Sequence, residues 1–236
     1  MKNTKVKLEI IFEDNHVLAV VKPAGLPAQR DRTGDPSLND LVKEDLKRRF
    51  KKPGNVYATA VHRLDRPASG IVLIAKTEKA AARLSAAFRE KSVRKTYLAV
   101  VEGKPPAAEA TLQGWLIKDA ARNTSRMALE GDRGAKSASL TYRVLGGDGD
   151  FCLLEVDLET GRGHQVRVQL SDAGMPVAGD RRYGAKSGFG PMIALHAARI
   201  AFPHPVREEE ITLYAPPPQR WTELFGQWVF DLITQG

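Results

Sequence analysis

The chain of 236 residues is 42% hydrophobic and 27% charged, an ordinary globular balance with material for a substantial core. Lys and Arg total 36 against 28 Asp and Glu, and the resulting +8 suits a polyanionic partner such as nucleic acid. A lone cysteine, Cys152, excludes an intramolecular disulfide and argues against a thiolate metal site. No run approaches the roughly 20 apolar residues of a membrane helix, and no signal-like stretch follows Met1–Lys5, so a cytoplasmic protein without a membrane partner is expected.

In chain order, Val17–Val21 reads as a buried strand ending at Lys22-Pro23-Ala24-Gly25. Ser37, with Asp40 three residues on, caps a helix over 38–50 whose Leu38, Leu41, Val42 and Leu46 share a face. Thr77 caps a second helix over 78–90, with Ala81, Leu84 and Phe88 pointing inward. Ile71–Ala75, Tyr97–Glu102, Leu140–Leu145 and Cys152–Leu158 are strands rich in β-branched residues. Residues 164–173 fit both periods. Gln165, Arg167 and Gln169 alternate with Val166, Val168 and Leu170, yet Val166, Leu170 and Ala173 suit a helix that Gly174 and Pro176 stop; a helix is expected. The mixture argues an α+β domain on a largely antiparallel sheet. Without linker, repeat or low-complexity tract, residues 1–236 read as a single domain.

The most unusual stretch is His62-Arg63-Leu64-Asp65-Arg66-Pro67-Ala68-Ser69-Gly70. It places one carboxylate between two arginines in a loop that runs into a buried strand. Flanking positive charge favours a carboxylate suited to act as a nucleophile; the alternative is a surface acid paired with Arg63 or Arg66.

That stretch resembles the signature of the RluA-like RNA pseudouridine synthases. The resemblance extends to Val17–Leu26 with its Lys-Pro-x-Gly turn, to Lys95–Gly103, and to Thr160-Gly161-Arg162-Gly163-His164-Gln165-Val166-Arg167-Val168. It continues through Gly174–Asp180 with Tyr183-Gly184 and through Leu195-His196-Ala197 with Phe202–Pro205. It implies the pseudouridine synthase fold: a bent, mixed, largely antiparallel sheet with flanking helices and a central cleft. It also implies isomerisation of uridines in structured rRNA or tRNA, and the few residues before the first strand leave no room for the small N-terminal RNA-binding domain that some members carry. With no Gly-rich phosphate loop, one Cys and scattered His, the sequence itself predicts no cofactor, and a monomer without an obligate protein partner is expected.

Asp65 would be the essential carboxylate, Tyr97 would stack on the target uracil, and Arg167 would pair with Asp65. Each has a plainer reading, as a surface acid, a core strand tyrosine and a surface helix arginine. Arg63 would fill the stack left by an extruded base, while Arg66, Arg162, His164, Arg181 and Arg182 would face RNA, solvent or structural partners. A non-catalytic RNA-binding protein on the same scaffold is the main alternative. A hydrolytic enzyme would require a second cleft carboxylate, and Asp172 and Asp180 read only as loop or helix-end acids. The family usually has Thr where this chain has Ala68. Residues 118–139, carrying Arg122, Arg126, Arg133 and Lys136, read as a solvated hairpin or an RNA-gripping insertion.

Overall fold

The computed structural model describes residues 7–31, 33–147, 150–189 and 192–226. The elements are β1 (Glu9–Glu13), β2 (Val17–Lys22), α1 (Leu38–Arg49), β3 (Thr59–Ala60), β4 (Ser69–Ala75), α2 (Glu78–Arg89), β5 (Arg94–Glu102) and β6 (Glu109–Asp119). There follow β7 (Thr124–Ala128), β8 (Lys136–Gly147), β9 (Phe151–Leu158), α3 (Gln165–Asp172), a 3-10 turn (Arg181–Tyr183), β10 (Leu195–Pro203), β11 (Glu210–Tyr214) and α4 (Arg220–Phe225). The strands join in one eleven-stranded sheet ordered β1-β2-β4-β10-β5-β9-β8-β6-β7, with β3 beside β4 and β11 beside β10. Among the described residues only β4 and β10 run parallel, so the sheet is largely antiparallel, as the sequence implied.

β2 and β4 read as unbroken apolar runs because both faces of the sheet are covered there. Leu18, Val20, Val72 and Ile74 share one core with Leu38, Val42 and Leu46 of α1. Their alternates Val17, Ala19, Ile71, Leu73 and Ala75 share a second core with Ala80, Leu84 and Ala87 of α2. The α1 cap is reciprocal. Ser37 Oγ accepts the Asp40 N–H at 3.3 Å, and the Asp40 carboxylate accepts the Ser37 N–H at 3.1 Å. On α2 the fully buried residues are Ala80, Leu84 and Ala87, and the expected Ala81 and Phe88 are partly buried against the same core. Phe88 is half-buried at the edge, where its ring lies 4.8 Å from that of His62.

α3 resolves the ambiguity over 164–173. Six of its eight residues are buried, so polar and apolar positions alternate without marking an inside and an outside. The buried amides are used in part: Gln165 Oε1 accepts from Thr160 Oγ1 (2.7 Å) and the Arg162 N–H (2.9 Å), and Gln169 Nε2 donates to Leu112 O (2.9 Å), while Gln169 Oε1 has no hydrogen-bond partner among the described residues. Residues 118–139 extend the sheet through the β6–β7 hairpin, with Arg122, Arg126, Arg133 and Lys136 exposed.

Candidate active site

The loop carrying Asp65 lies between β3 and β4 and is held from three sides. From within, the Ala68 N–H donates to Asp65 O at 3.1 Å. His62 Nε2 accepts the Leu73 N–H at 3.0 Å, and burial drives the imidazole down to about 3, so it is a neutral structural acceptor. From the Lys-Pro-Ala-Gly turn, the fully buried Lys22 Nζ lies within hydrogen-bond distance of four carbonyls: Ala68 (2.6 Å), Leu26 (2.8 Å), Pro23 (3.0 Å) and Arg66 (3.2 Å). Ala68 takes part through its main chain alone, its carbonyl accepting from Lys22 Nζ and its N–H donating to Asp65 O. Burial pulls the Lys22 amine down to about 7, while the Asp65 charge opposes that shift.

The Ser-Gly pair that follows has two distinct jobs. Gly70 sits at φ +117° beside β10, where a Cβ would come within 2.3 Å of Ala197 O, so only glycine permits the parallel β4–β10 approach. Ser69 Oγ lies 2.8 Å from His196 Nδ1, and His196 Nε2 lies 3.2 Å from Ala215 O. A carbonyl can only accept, so His196 carries its proton on Nε2 and accepts from Ser69 through Nδ1.

Arg63 and Arg66 do not supply the counter-charge to Asp65 that their sequence positions suggested. Arg63 is exposed at the mouth of the cavity. Arg66 turns back to Gly25 O (2.9 Å), Thr33 Oγ1 (3.0 Å) and the carboxylates of Asp31 and Asp35. The counter-charge comes from α3, where Arg167 Nη1 donates to Asp65 Oδ2 at 3.0 Å. Arg167 is itself held by Asp180, through Nε to Oδ2 (2.6 Å) and Nη2 to Oδ1 (2.9 Å), and lies over the Tyr183 ring at 4.8 Å. Burial opposes its charge, but the two carboxylates outweigh burial and hold the guanidinium above its usual range.

The second Asp65 oxygen faces His164 Nε2 at 3.7 Å, too long for a hydrogen bond. His164 is buried and left-handed, at φ +57°. Burial holds it below the ordinary imidazole range, so it is neutral, and a carboxylate facing Nε2 places the remaining proton there. Nδ1 then accepts from the Tyr183 hydroxyl at 2.7 Å, and that oxygen accepts the Ser125 N–H at 2.9 Å. Ser125 also donates through Oγ to Gly163 O at 2.7 Å, which ties the β6–β7 hairpin to the Asp65 surroundings.

Tyr97 projects from β5, largely buried, into the same cavity of about 290 Å³ as Asp65, Arg167 and Lys118. Burial, then the Asp65 charge, pushes its hydroxyl above the ordinary tyrosine range. Arg162 is at the cavity wall, its Nε donating to Ser137 O at 2.9 Å. Arg181 and Arg182 are exposed and outside the cavity lining; Arg182 donates to Asn123 O at 3.2 Å and its charge adds to the burial that lowers His164. Asp180 does stand at a helix end, as expected, but buried and with both oxygens given to Arg167. Among the described residues no cluster of three or more His, Cys, Asp or Glu side chains is placed to hold a metal ion, and no helix is long and apolar enough to cross a membrane.

The family model described as RNA pseudouridylate synthase matches residues 16–172, which contain Lys22, Asp65, Tyr97 and Arg167. The chain belongs to that family. As an RNA pseudouridylate synthase family member it is an isomerase. It is 36% identical to ribosomal large subunit pseudouridine synthase D of Zymomonas mobilis, over 93% of this chain and 72% of that protein. It is 35% identical to ribosomal large subunit pseudouridine synthase C of Vibrio cholerae, over 88% of this chain and 65% of that one. The solved structure of human RNA pseudouridylate synthase domain containing 1 superposes with a TM-score of 0.74 at 25% identity, covering 92% of this chain and 86% of the human one.

Lys22, Asp180, Tyr183 and Ser125 were missed as site residues by sequence reasoning. Lys22 stands at the end of an apolar strand, where a lysine ordinarily marks the return to solvent. Its expected role can be tested by substitution. Lys22→Met should lower turnover at least tenfold by freeing the loop that carries Asp65, with RNA affinity changed less than about twofold. Its folded amine near 7 lies below the unfolded 10.5, so the unfolded chain binds more protons between those values. Stability from this group therefore rises with pH through that window. Denaturant titrations at pH 7 and 9 should show the rise in the parent and its loss in Lys22→Met.

Proposed function

We propose that the chain isomerises specific uridines of large-subunit ribosomal RNA, with Asp65 as the essential carboxylate. The observation that carries this reading is Asp65 itself, anchored by Arg167 through Oδ2 and sharing a small cavity with Tyr97. Its relatives' names favour ribosomal RNA over transfer RNA as the substrate.

The net reaction breaks N1–C1′, turns the uracil within the site, joins C5 to C1′ and moves the C5 proton to N1. Asp65 can assist by attack at C1′, by attack at C6 or by removing the C2′ proton. Each route needs an aimed carboxylate with one oxygen open to the substrate, and Oδ1 is the oxygen that Arg167 leaves. Both oxygens of the second carboxylate, Asp180, are occupied by Arg167, so it is poorly placed to activate water; that favours rearrangement over hydrolysis.

Tyr97 stacks on the uracil. A uridine within a stack cannot reach this cavity, so the base is extruded and the planar guanidinium of Arg63 takes its place. Arg162 and Lys118, at the cavity wall, face the RNA backbone.

His164 acts as a positioning residue through Tyr183. Tyr183→Phe removes the partner of both His164 Nδ1 and the Ser125 N–H, and turnover should fall about tenfold at unchanged RNA affinity. Equal loss of affinity and turnover would place the defect in RNA binding instead. The reading as a whole is tested by mass mapping of pseudouridines in ribosomal RNA from cells with and without the protein. A position lost on deletion and restored by the parent chain supports it; an unchanged ribosomal RNA map contradicts it.

A further inference from the structure

A second, larger cleft of about 1180 Å³ adjoins the Asp65 cavity and shares Arg63, Tyr97, Gly161 and Arg162 with it. Seven basic side chains line it against two acidic ones. One of those acids, Asp157, is occupied locally: Thr96 Oγ1 donates to it at 2.6 Å, and Arg199 Nη2 lies 4.0 Å away. On the wall of the larger cleft, beside the shared Gly161, stands Lys95. Its ammonium is largely withdrawn from water against Gly161, and it lies 5.9 Å from the Phe88 ring centroid. Among the described residues it makes no hydrogen bond or ion pair, and burial pulls it below the ordinary lysine range with no carboxylate to compensate. A sequestered cation without an anion is costly in a folded chain unless a ligand brings the anion.

Strand geometry says where that anion sits. Lys95 and Tyr97 are two apart on β5, so their side chains leave the same face about 7 Å apart. That spacing is comparable to the separation of a nucleobase from the phosphates on its own ribose. We propose that Lys95 binds a phosphodiester adjoining the extruded uridine, and that the flanking RNA strand leaves the active site along this basic cleft. The assignment rests on the reading in which Tyr97 stacks on the target base. Arg89 and Lys91, at the end of α2 on the cleft wall, continue the path for the next phosphates.

The test is the salt dependence of binding to a protein-free large-subunit rRNA transcript, measured for the parent, Lys95→Met, Lys95→Arg and the exposed α2 control Lys79→Met. One phosphate contact on a single strand contributes about 0.7 to the slope of log affinity against log salt, about fivefold in affinity at 0.1 M. Lys95→Met should lose that slope and about that affinity, Lys95→Arg should keep both, and Lys79→Met should match the parent. An unchanged slope in Lys95→Met overturns the proposal. So does equal weakening of the Met and Arg variants, which would make Lys95 a packing residue. Pseudouridine formation by the parent on the same transcript is scored in parallel. Its absence would count against the proposed function, whereas its presence beside an unchanged Lys95→Met slope would count against the phosphate site alone.

Discussion

Asp65→Asn is expected to reduce pseudouridine formation by at least four orders of magnitude while leaving RNA affinity within about twofold. The amide is nearly isosteric, so the loop braced by Lys22 and the Ala68–Asp65 turn should keep its path. What is lost is the nucleophilic or basic oxygen, and an amide has neither property at neutral pH. Affinity survives because phosphate and shape contacts lie elsewhere on the surface. Single-turnover assays and equilibrium binding on the same RNA separate the two quantities. A folded Asn variant retaining a percent of parent turnover would remove Asp65 from the chemistry.

Arg167→Met should lower turnover by about two orders of magnitude and, unlike the first, damage the fold. The guanidinium is 4% exposed and lies between Asp65 and Asp180, with Asp180 only 2% exposed. Removing it leaves Asp180 as an uncompensated buried charge, a loss of about 3–5 kcal/mol. Asp65 loses the donor that fixes Oδ2, and a misplacement of about 1 Å can cost a hundredfold in rate. Denaturant unfolding reads the first effect. The double variant Arg167→Met, Asp180→Asn discharges the stranded carboxylate, so it should regain much of the stability and none of the activity. A double variant both stable and active would show that Arg167 serves the core alone.

The parts of this molecule legible in its sequence are those governed by local rules. Ser37, Asp40 and Thr77 announced their helices because caps act over three residues. β2 and β4 were legible because burial on both faces leaves no polar alternate to break the run. The site was legible only where a motif marked it. Adjacency in sequence misled at Asp65, since the turn through Pro67 sends Arg66 back toward Asp31 and Asp35, whereas the true partner lies 102 residues on. Asp180 and Tyr183 carry no local sign of burial. Both become site residues because α3 and the 3-10 turn fold against one another, with Ser171 Oγ donating to Tyr183 O at 2.6 Å. Lys22 was hidden for a different reason. Its ammonium is satisfied by backbone carbonyls, which every residue possesses and no composition records.

Asp65, held by Arg167 beside Tyr97, is proposed to make pseudouridine in ribosomal RNA. The most direct test is mass mapping of a protein-free large-subunit rRNA transcript after incubation with the purified parent chain and, in parallel, with Asp65→Asn. Pseudouridine is expected at one or a few discrete uridines with the parent and at none with the variant. A transcript left unmodified by the parent, or modified equally by both proteins, would contradict it.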